Sequence, residues 1–271
     1  MVPASFQTAN ATVTYPVTNA VSNADSTGLG PAAPGEGLTN VTITTDASGN
    51  FGRMSISLPN VDGKIVTSDV NLSIATPVQL AVLASMLKQV YGPFTDDATA
   101  LALNQSAGAQ ALNWSAFGLW SYAYENDPHG NGAGQSYAFA FGNLTPAASV
   151  PATGSATYSG TTMGMGGGPG ENSLYALQGN AKIVANFSAQ SVVTNLTNLT
   201  IQNIYTNATG SLPDLTGTST ISGNAYSGPI AGTGLTGSVK GNFFGPAAQE
   251  TAGVWQASGG GSAWLGSYGA K

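Results

Sequence analysis

Few side chains in this 271-residue chain are equipped for chemistry, and they fall in four places. His129 is the only histidine, within Tyr124-Glu125-Asn126-Asp127-Pro128-His129-Gly130-Asn131-Gly132. Its imidazole suits an axial haem ligand, or one arm of a metal site with Glu125 and Asp127 beside it. The plainer reading is an exposed residue in a hairpin turn. Nothing around it resembles a nucleophile elbow, so a Ser-His-Asp arrangement is not in view. Asp96-Asp97 offers a general acid and base or a hard-cation site, but such acids more commonly cap a helix start. Other carboxylates are too scattered for an EF-hand or a glycosidase pair.

Met163-Gly164-Met165-Gly166-Gly167-Gly168-Pro169-Gly170 has the glycines of a phosphate cradle without the Lys-Ser/Thr that completes one. It reads as a loop whose two methionines can meet an apolar ligand or partner. Between Leu112 and Tyr124 lie Trp114, Phe117, Trp120, Tyr122 and Tyr124. Strand alternation puts Trp120, Tyr122 and Tyr124 on one face, either filling a core or forming a recognition stripe. Several Asn-x-Ser/Thr triplets, among them Asn186, Asn195 and Asn198, are expected by chance in so Asn- and Thr-rich a chain.

Composition narrows the classes. Only 7% of residues are charged, against about 25% in ordinary soluble domains, so solubility rests on Ser, Thr, Asn, Gln and Gly. Six basic residues face 12 acidic ones, and Arg53 is the only arginine. Phosphate binding needs clustered Lys and Arg, so nucleic acid is excluded as a partner. With no cysteine, disulfides and thiolate chemistry are excluded too. The start, Met1-Val2-Pro3-Ala4-Ser5, has neither a basic nor an apolar region, and no apolar run reaches membrane-spanning length. The expectation is a mature exported form, with any lipid anchor outside this sequence; a cytosolic protein is the other reading.

These residues must be positioned mostly by strands. Residues 1–40 read as an extended arm with one strand near Ala11–Tyr15. Thr39–Thr45 and Gly52–Leu58 read as a pair around Asp46-Ala47-Ser48-Gly49-Asn50, with another strand after Lys64. A helix is expected over 77–91: Thr76 caps it, Pro77 takes the first position, and Leu80, Leu83 and Leu87 share a face. A second short helix is expected at about 97–103. From Asn113 onward, short alternating runs broken by Gly, Ser, Asn and Pro predict ten strands, in an antiparallel sheet that closes on itself. Closure hides edges that so few charges would leave unprotected.

Gly241-Asn242-Phe243-Phe244-Gly245-Pro246-Ala247-Ala248-Gln249-Glu250-Thr251-Ala252-Gly253-Val254-Trp255 is the most specific motif. It resembles the barrel signature of transferrin-binding protein B and its relatives, roughly G-x-F-Y-G-P-x-A-x-E-x-G-G-x-F. Phe244, Ala252 and Trp255 depart from it, standing where Tyr, Gly and Phe are usual. Phe117-Gly118-Leu119-Trp120, Pro151-Ala152-Thr153-Gly154 and the closing Gly266-Ser267-Tyr268-Gly269-Ala270-Lys271 fit the same family in the same order. The resemblance implies a mainly β chain: a small handle-like region with one or two helices over 1–110, then a closed antiparallel barrel of eight or more strands over 111–271.

It further implies a bacterial surface or secreted binding protein, often an outer-membrane lipoprotein, that captures haem, an iron-carrying protein or another host or extracellular factor and is no enzyme. The loops at 125–134 and 163–173 are the expected contact regions. Their candidate ligand-binding residues are His129, Tyr124, Met163 and Met165; no catalytic or metal site is expected. The cofactor stays unassigned, with haem as the candidate. The basic, long-looped character of true transferrin receptors is missing. The rival reading is an adhesive or self-assembling exported subunit, since low repulsion favours association.

Overall fold

The computed structural model describes residues 12–25, 33–34, 40–45, 51–59, 65–70, 84–85, 98–104, 112–125, 132–168 and 173–271. It is built from two antiparallel sheets. The first comprises β1 (Thr12–Asp25), β2 (Ala33–Pro34), β3 (Asn40–Thr45), β4 (Phe51–Pro59), β5 (Ile65–Val70), β6 (Ala98–Asn104), β7 (Ser115–Glu125) and β8 (Gly132–Gly142), in the order β5-β4-β3-β1-β8-β7-β6 with β2 on β1. The expected pair around residues 46–50 is β3 and β4, with Val41 opposite Ile56. The arm's single strand is longer than expected and lies inside the sheet, between β3 and β8.

Ala84 and Ser85 are helical, and the rest of the helix expected over 77–91 lies outside the described residues. The second helix is corrected: Ala98–Asn104 is a strand, pairing with β7 from Ala98–Ala123 to Asn104–Phe117. Its alanines and leucines suggest a helix, but Thr99, Leu101 and Leu103 also alternate with Ala98, Ala100 and Ala102. Pairing with a neighbour overrides a weak local preference.

The second sheet is the closed barrel. Its strands are β9 (Ser155–Gly167), β10 (Leu174–Asn186), β11 (Ser191–Asn203), β13 (Leu215–Ser222), β14 (Ala225–Gly232), β15 (Leu235–Phe244), β16 (Glu250–Gly259) and β17 (Ser262–Ala270). They run β10-β9-β17-β16-β15-β14-β13-β11, and β11 pairs back with β10 to complete eight. The three-residue β12 (Thr209–Ser211) is attached to the outer half of β11. Alternation explains the strands: in β13, Leu215, Ser219 and Ile221 turn inward while Thr216, Thr218, Thr220 and Ser222 are exposed.

Eight strands leave an interior just wide enough for side chains to fill. Trp255, Tyr268, Tyr226, Phe243, Leu177, Ile183, Leu196 and Val239 form one buried cluster there. Glycines make room for the largest ring: a Cβ on Gly266 or Gly164 would lie 2.6 or 3.3 Å from the Trp255 indole. The echo Asn195-Leu196-Thr197-Asn198-Leu199-Thr200 has period three, which a strand of period two cannot carry. A bulge absorbs the extra residue. Asn198 takes φ 53, the register with β10 slips between Gln178 and Asn180, and Leu196 and Leu199 both face the core.

β7 and β8 are not barrel strands, as the Phe117-Gly118-Leu119-Trp120 resemblance implied; they pair with β6 and β1 in the first sheet. Alternation specifies a strand and its faces, but not which sheet it joins. Phe117, Leu119, Ala138 and Ala140 pack on the outer wall of the barrel, against Met163, Met165, Ala252, Val254 and Leu265. Trp120, Tyr137, Phe139 and Phe141 alternate with these on the opposite face and are fully buried. Trp120 thus fills neither the barrel core nor an exposed stripe. A single 3-10 turn at Ala147–Ser149 leads from the first sheet into β9.

Candidate functional site

Two of the hairpins expected to carry recognition open toward the same end of the molecule. Ser267, opposite Met163 in the barrel ladder, donates from Oγ to the Gly118 carbonyl at 2.8 Å. Two residues further along β9 and three along β7, the Ser121 hydroxyl donates to the Met165 sulfur at 3.6 Å. β7 and β9 therefore run the same way, and the β7–β8 and β9–β10 connections lie at one end, here the hairpin end. The β14–β15 and β16–β17 turns open there too. Tyr124 is paired with Ala133 near the tip of β7, and His129 lies between β7 and β8, outside the described residues.

Met163 and Met165 do not lie in a loop. β9 continues through Gly167, and both side chains are fully buried between the barrel wall and β7–β8. The glycine run permits this, because Gly164 and Gly166 sit opposite Trp255 and Trp264 where larger residues would collide. The methionines are packing residues that fill an irregular seam between two twisted sheets.

The other end is organised around Glu250, whose role the sequence does not show. Glu250 is 1% exposed, yet its carboxylate is fully partnered. It accepts from the backbone N–H groups of Asn113 (2.5 Å), Trp114 (3.0 Å) and Ser115 (3.0 Å), and from the Ser115 hydroxyl (2.8 Å). The acid of the Gly-Pro motif thus ties the barrel to the start of β7. The turn before it is held equally closely. Gly245 takes φ 84, where a Cβ would press on Gln249 Oε1 and the Trp114 ring. The Thr145 hydroxyl donates to the Gly245 carbonyl (2.7 Å) and accepts from the Ala248 N–H (3.2 Å).

Inside the barrel, polar tips are paired within the apolar packing. The Tyr226 hydroxyl contacts those of Tyr268 (2.7 Å) and Thr251 (2.6 Å), and Thr251 donates to the Asn242 carbonyl. The Trp255 indole N–H donates to Thr162 Oγ1 at 2.9 Å, and Tyr158 donates to the Ala248 carbonyl at 2.7 Å. Burial pushes the Tyr158 phenol up to about 12 and raises Tyr226 and Tyr268 as well. This network rigidifies the core; it presents no group to a reactant. No cluster of metal-ligating side chains occurs among the described residues.

The outer wall away from the first sheet is polar and almost uncharged. Thr216, Thr218, Thr220, Ser227, Pro229 and Thr236 are exposed on it. Residues 150–271 hold only Lys182, Lys240, Lys271, Asp214, Glu171 and Glu250 as charged groups.

Residues 150–271 match the family model described as C-lobe and N-lobe beta barrels of Tf-binding protein B. The second sheet is therefore a barrel of the transferrin-binding protein B type, as the Gly241–Trp255 motif implied. Among solved structures, the chain is similar to a transferrin-binding protein B mutant from Haemophilus parasuis, at 15% identity and TM-score 0.44, covering 93% of this chain and 61% of that one. A transferrin-binding protein B mutant from Actinobacillus pleuropneumoniae is 14% identical with TM-score 0.42, covering 96% of this chain and 100% of that one. The N-lobe domain of lactoferrin binding protein B of Moraxella bovis is 14% identical with TM-score 0.39, covering 79% and 91%. The chain spans 61% of the length of the first of these structures. None of the curated proteins matches it in sequence.

Proposed function

We propose that this chain is a bacterial surface-exposed or secreted binding protein that meets its cargo at the hairpin end. The observation that carries this reading is the packed, closed barrel matched to the family over residues 150–271. A filled interior leaves recognition to rims and outer surfaces. The connections β7–β8 and β9–β10 lie at that end, beside the longer stretch 204–214 that joins β11 to β13. The cargo is an extracellular iron-carrying protein of the kind named for the similar structures, or haem held by His129 with Tyr124 nearby. Met163 and Met165 support that end from beneath and do not touch cargo. Attachment to the outer membrane would come through a lipid anchor outside this sequence, and the activity is binding, not turnover.

Hemin titration and biolayer binding to iron-loaded and iron-free transferrin and lactoferrin test this reading. A Soret shift abolished by His129→Ala supports haem. Saturable binding to an iron-carrying protein, weakened by exchanging residues 126–131, supports the protein cargo. Failure of all these ligands sinks both versions.

The uncharged Ser/Thr wall favours a second reading, self-association of an adhesive subunit. Light scattering after size exclusion separates the two: concentration-dependent polymers favour assembly, and a monomer that binds cargo favours recognition.

A further inference from the structure

The ring is closed, but β12 lies outside it with one edge to spare. It pairs with β11 alone, placing Thr209, Gly210 and Ser211 opposite Gln202, Ile201 and Thr200. The Leu212 N–H donates to the Leu199 carbonyl at 2.9 Å, and the Asn203 N–H donates to the Ala208 carbonyl at 2.8 Å. Antiparallel strands turn alternate residues toward their partner, so Ala208, Gly210 and Leu212 bond to β11. The backbone N–H and C=O groups of Thr209 and Ser211 therefore point away from it. No other barrel strand reaches them. Thr216 pairs with Ala231, so β14 turns back at Gly232, level with Leu215, and never runs alongside β12. All three residues of β12 are exposed.

This edge fits a second copy of itself in three ways. It is bounded: Pro213, next in the outward series after Thr209 and Ser211, has no N–H, and Asn207 leaves the extended region at φ 61. It is self-complementary. Laid antiparallel about a two-fold axis at Gly210, Thr209 of each chain faces Ser211 of the other, and each such pair exchanges two backbone bonds. It is also free of obstruction. The two Gly210 residues meet at the axis without side chains, and no charged residue lies between Ile204 and Pro213 to repel its copy. A foreign strand could use the same backbone groups, but nothing in the edge selects its side chains.

We propose that β12 pairs with β12 of a second copy, joining two barrels through one continuous sheet of β10, β11 and β12 from each. The two-fold pairing uses up the edge, so this contact stops at two copies. It thus differs from polymer growth along the Ser/Thr wall, and it stands apart from any cargo.

Sedimentation equilibrium of the full chain at rising concentration tests it. A monomer–dimer equilibrium is expected, and a monomer throughout overturns the proposal in favour of a foreign strand. Ser211→Pro removes one outward N–H from each copy and none of the bonds to β11, so dimerisation weakens about tenfold or more. Unchanged dimerisation would place the contact elsewhere and overturn the proposal. If that variant does not fold, Thr209→Lys/Ser211→Lys replaces side chains that are already exposed and sets like charges across the axis, with the same loss expected. The chain has no cysteine, so Gly210→Cys introduces a single thiol. Its Cβ would lie 3.5 Å from Ile201 Cγ1, an ordinary contact. Across the axis the two Cα atoms lie about 4.5 Å apart, within disulfide reach. Gly210→Cys should therefore cross-link into dimers far faster than Thr218→Cys, exposed on β13; equal rates overturn the pairing.

Discussion

Glu250 shows how one residue couples distant segments. Its four donors come from Asn113–Ser115, as many as 137 positions earlier. Glu250→Gln replaces one acceptor by a donor facing those N–H groups, so stability falls by about 2–4 kcal/mol. Urea unfolding measures this, and hydrogen exchange at Asn113–Ser115 should speed in parallel. Gly253→Ala tests the steric side, since its Cβ would lie 2.1 Å from the Lys240 carbonyl oxygen and 2.6 Å from the Tyr268 hydroxyl. Overpacking of this kind costs roughly 1–3 kcal/mol, and a variant as stable as wild type would refute the argument. Tyr158 gives a pH test. Its phenol ionises near 10 unfolded and at about 12 folded, so between those values the unfolded chain binds fewer protons. Stability is complete below pH 10 and falls as pH rises toward 12, with Tyr226 and Tyr268 acting in the same direction. Urea midpoints taken across that range, with phenolate absorbance, should show the decline. At this scale the sequence displayed the Gly-Pro turn and its acid, but not the acid's partners, because nothing local marks which amides a carboxylate will meet.

Strands were far more legible. The alternating runs expected after Asn113 include β10, β11, β14 and β15, because a half-buried strand must repeat every two residues. Two readings failed for one reason: periodicity describes a strand's own faces and not its neighbours. Ala98–Asn104 pairs with β7 instead of coiling, and β7 and β8 join β1 instead of the barrel. The bulge in β11 is testable. A β-branched side chain is strained at the positive φ of Asn198, so Asn198→Val should cost about 1–2 kcal/mol while Asn198→Gly stays near neutral. Thermal melts of the pair would reveal the difference; equal melting points would show the bulge is not held by that conformation.

For the molecule as a whole, the two sheets need each other. Met163, Met165, Val254 and Leu265 are buried only because β7 and β8 cover that side of the barrel. Residues 150–271 expressed alone should therefore bind a hydrophobic dye and associate, unlike the full chain; a dye-negative monomer would show that the barrel is self-sufficient. The ring also has an order of manufacture. Its earliest and latest strands are hydrogen-bonded to each other, Gly160 opposite Ala270. As the chain folds in order, everything from β9 to β16 is available before the strand that seals it, leaving the bare edges of β9 and β16 with one charged residue, Glu250, between them. Refolding yield should therefore fall as chain concentration rises, because the open edges of two molecules can meet before β17 closes either ring; a yield independent of concentration would show that closure outpaces such encounters.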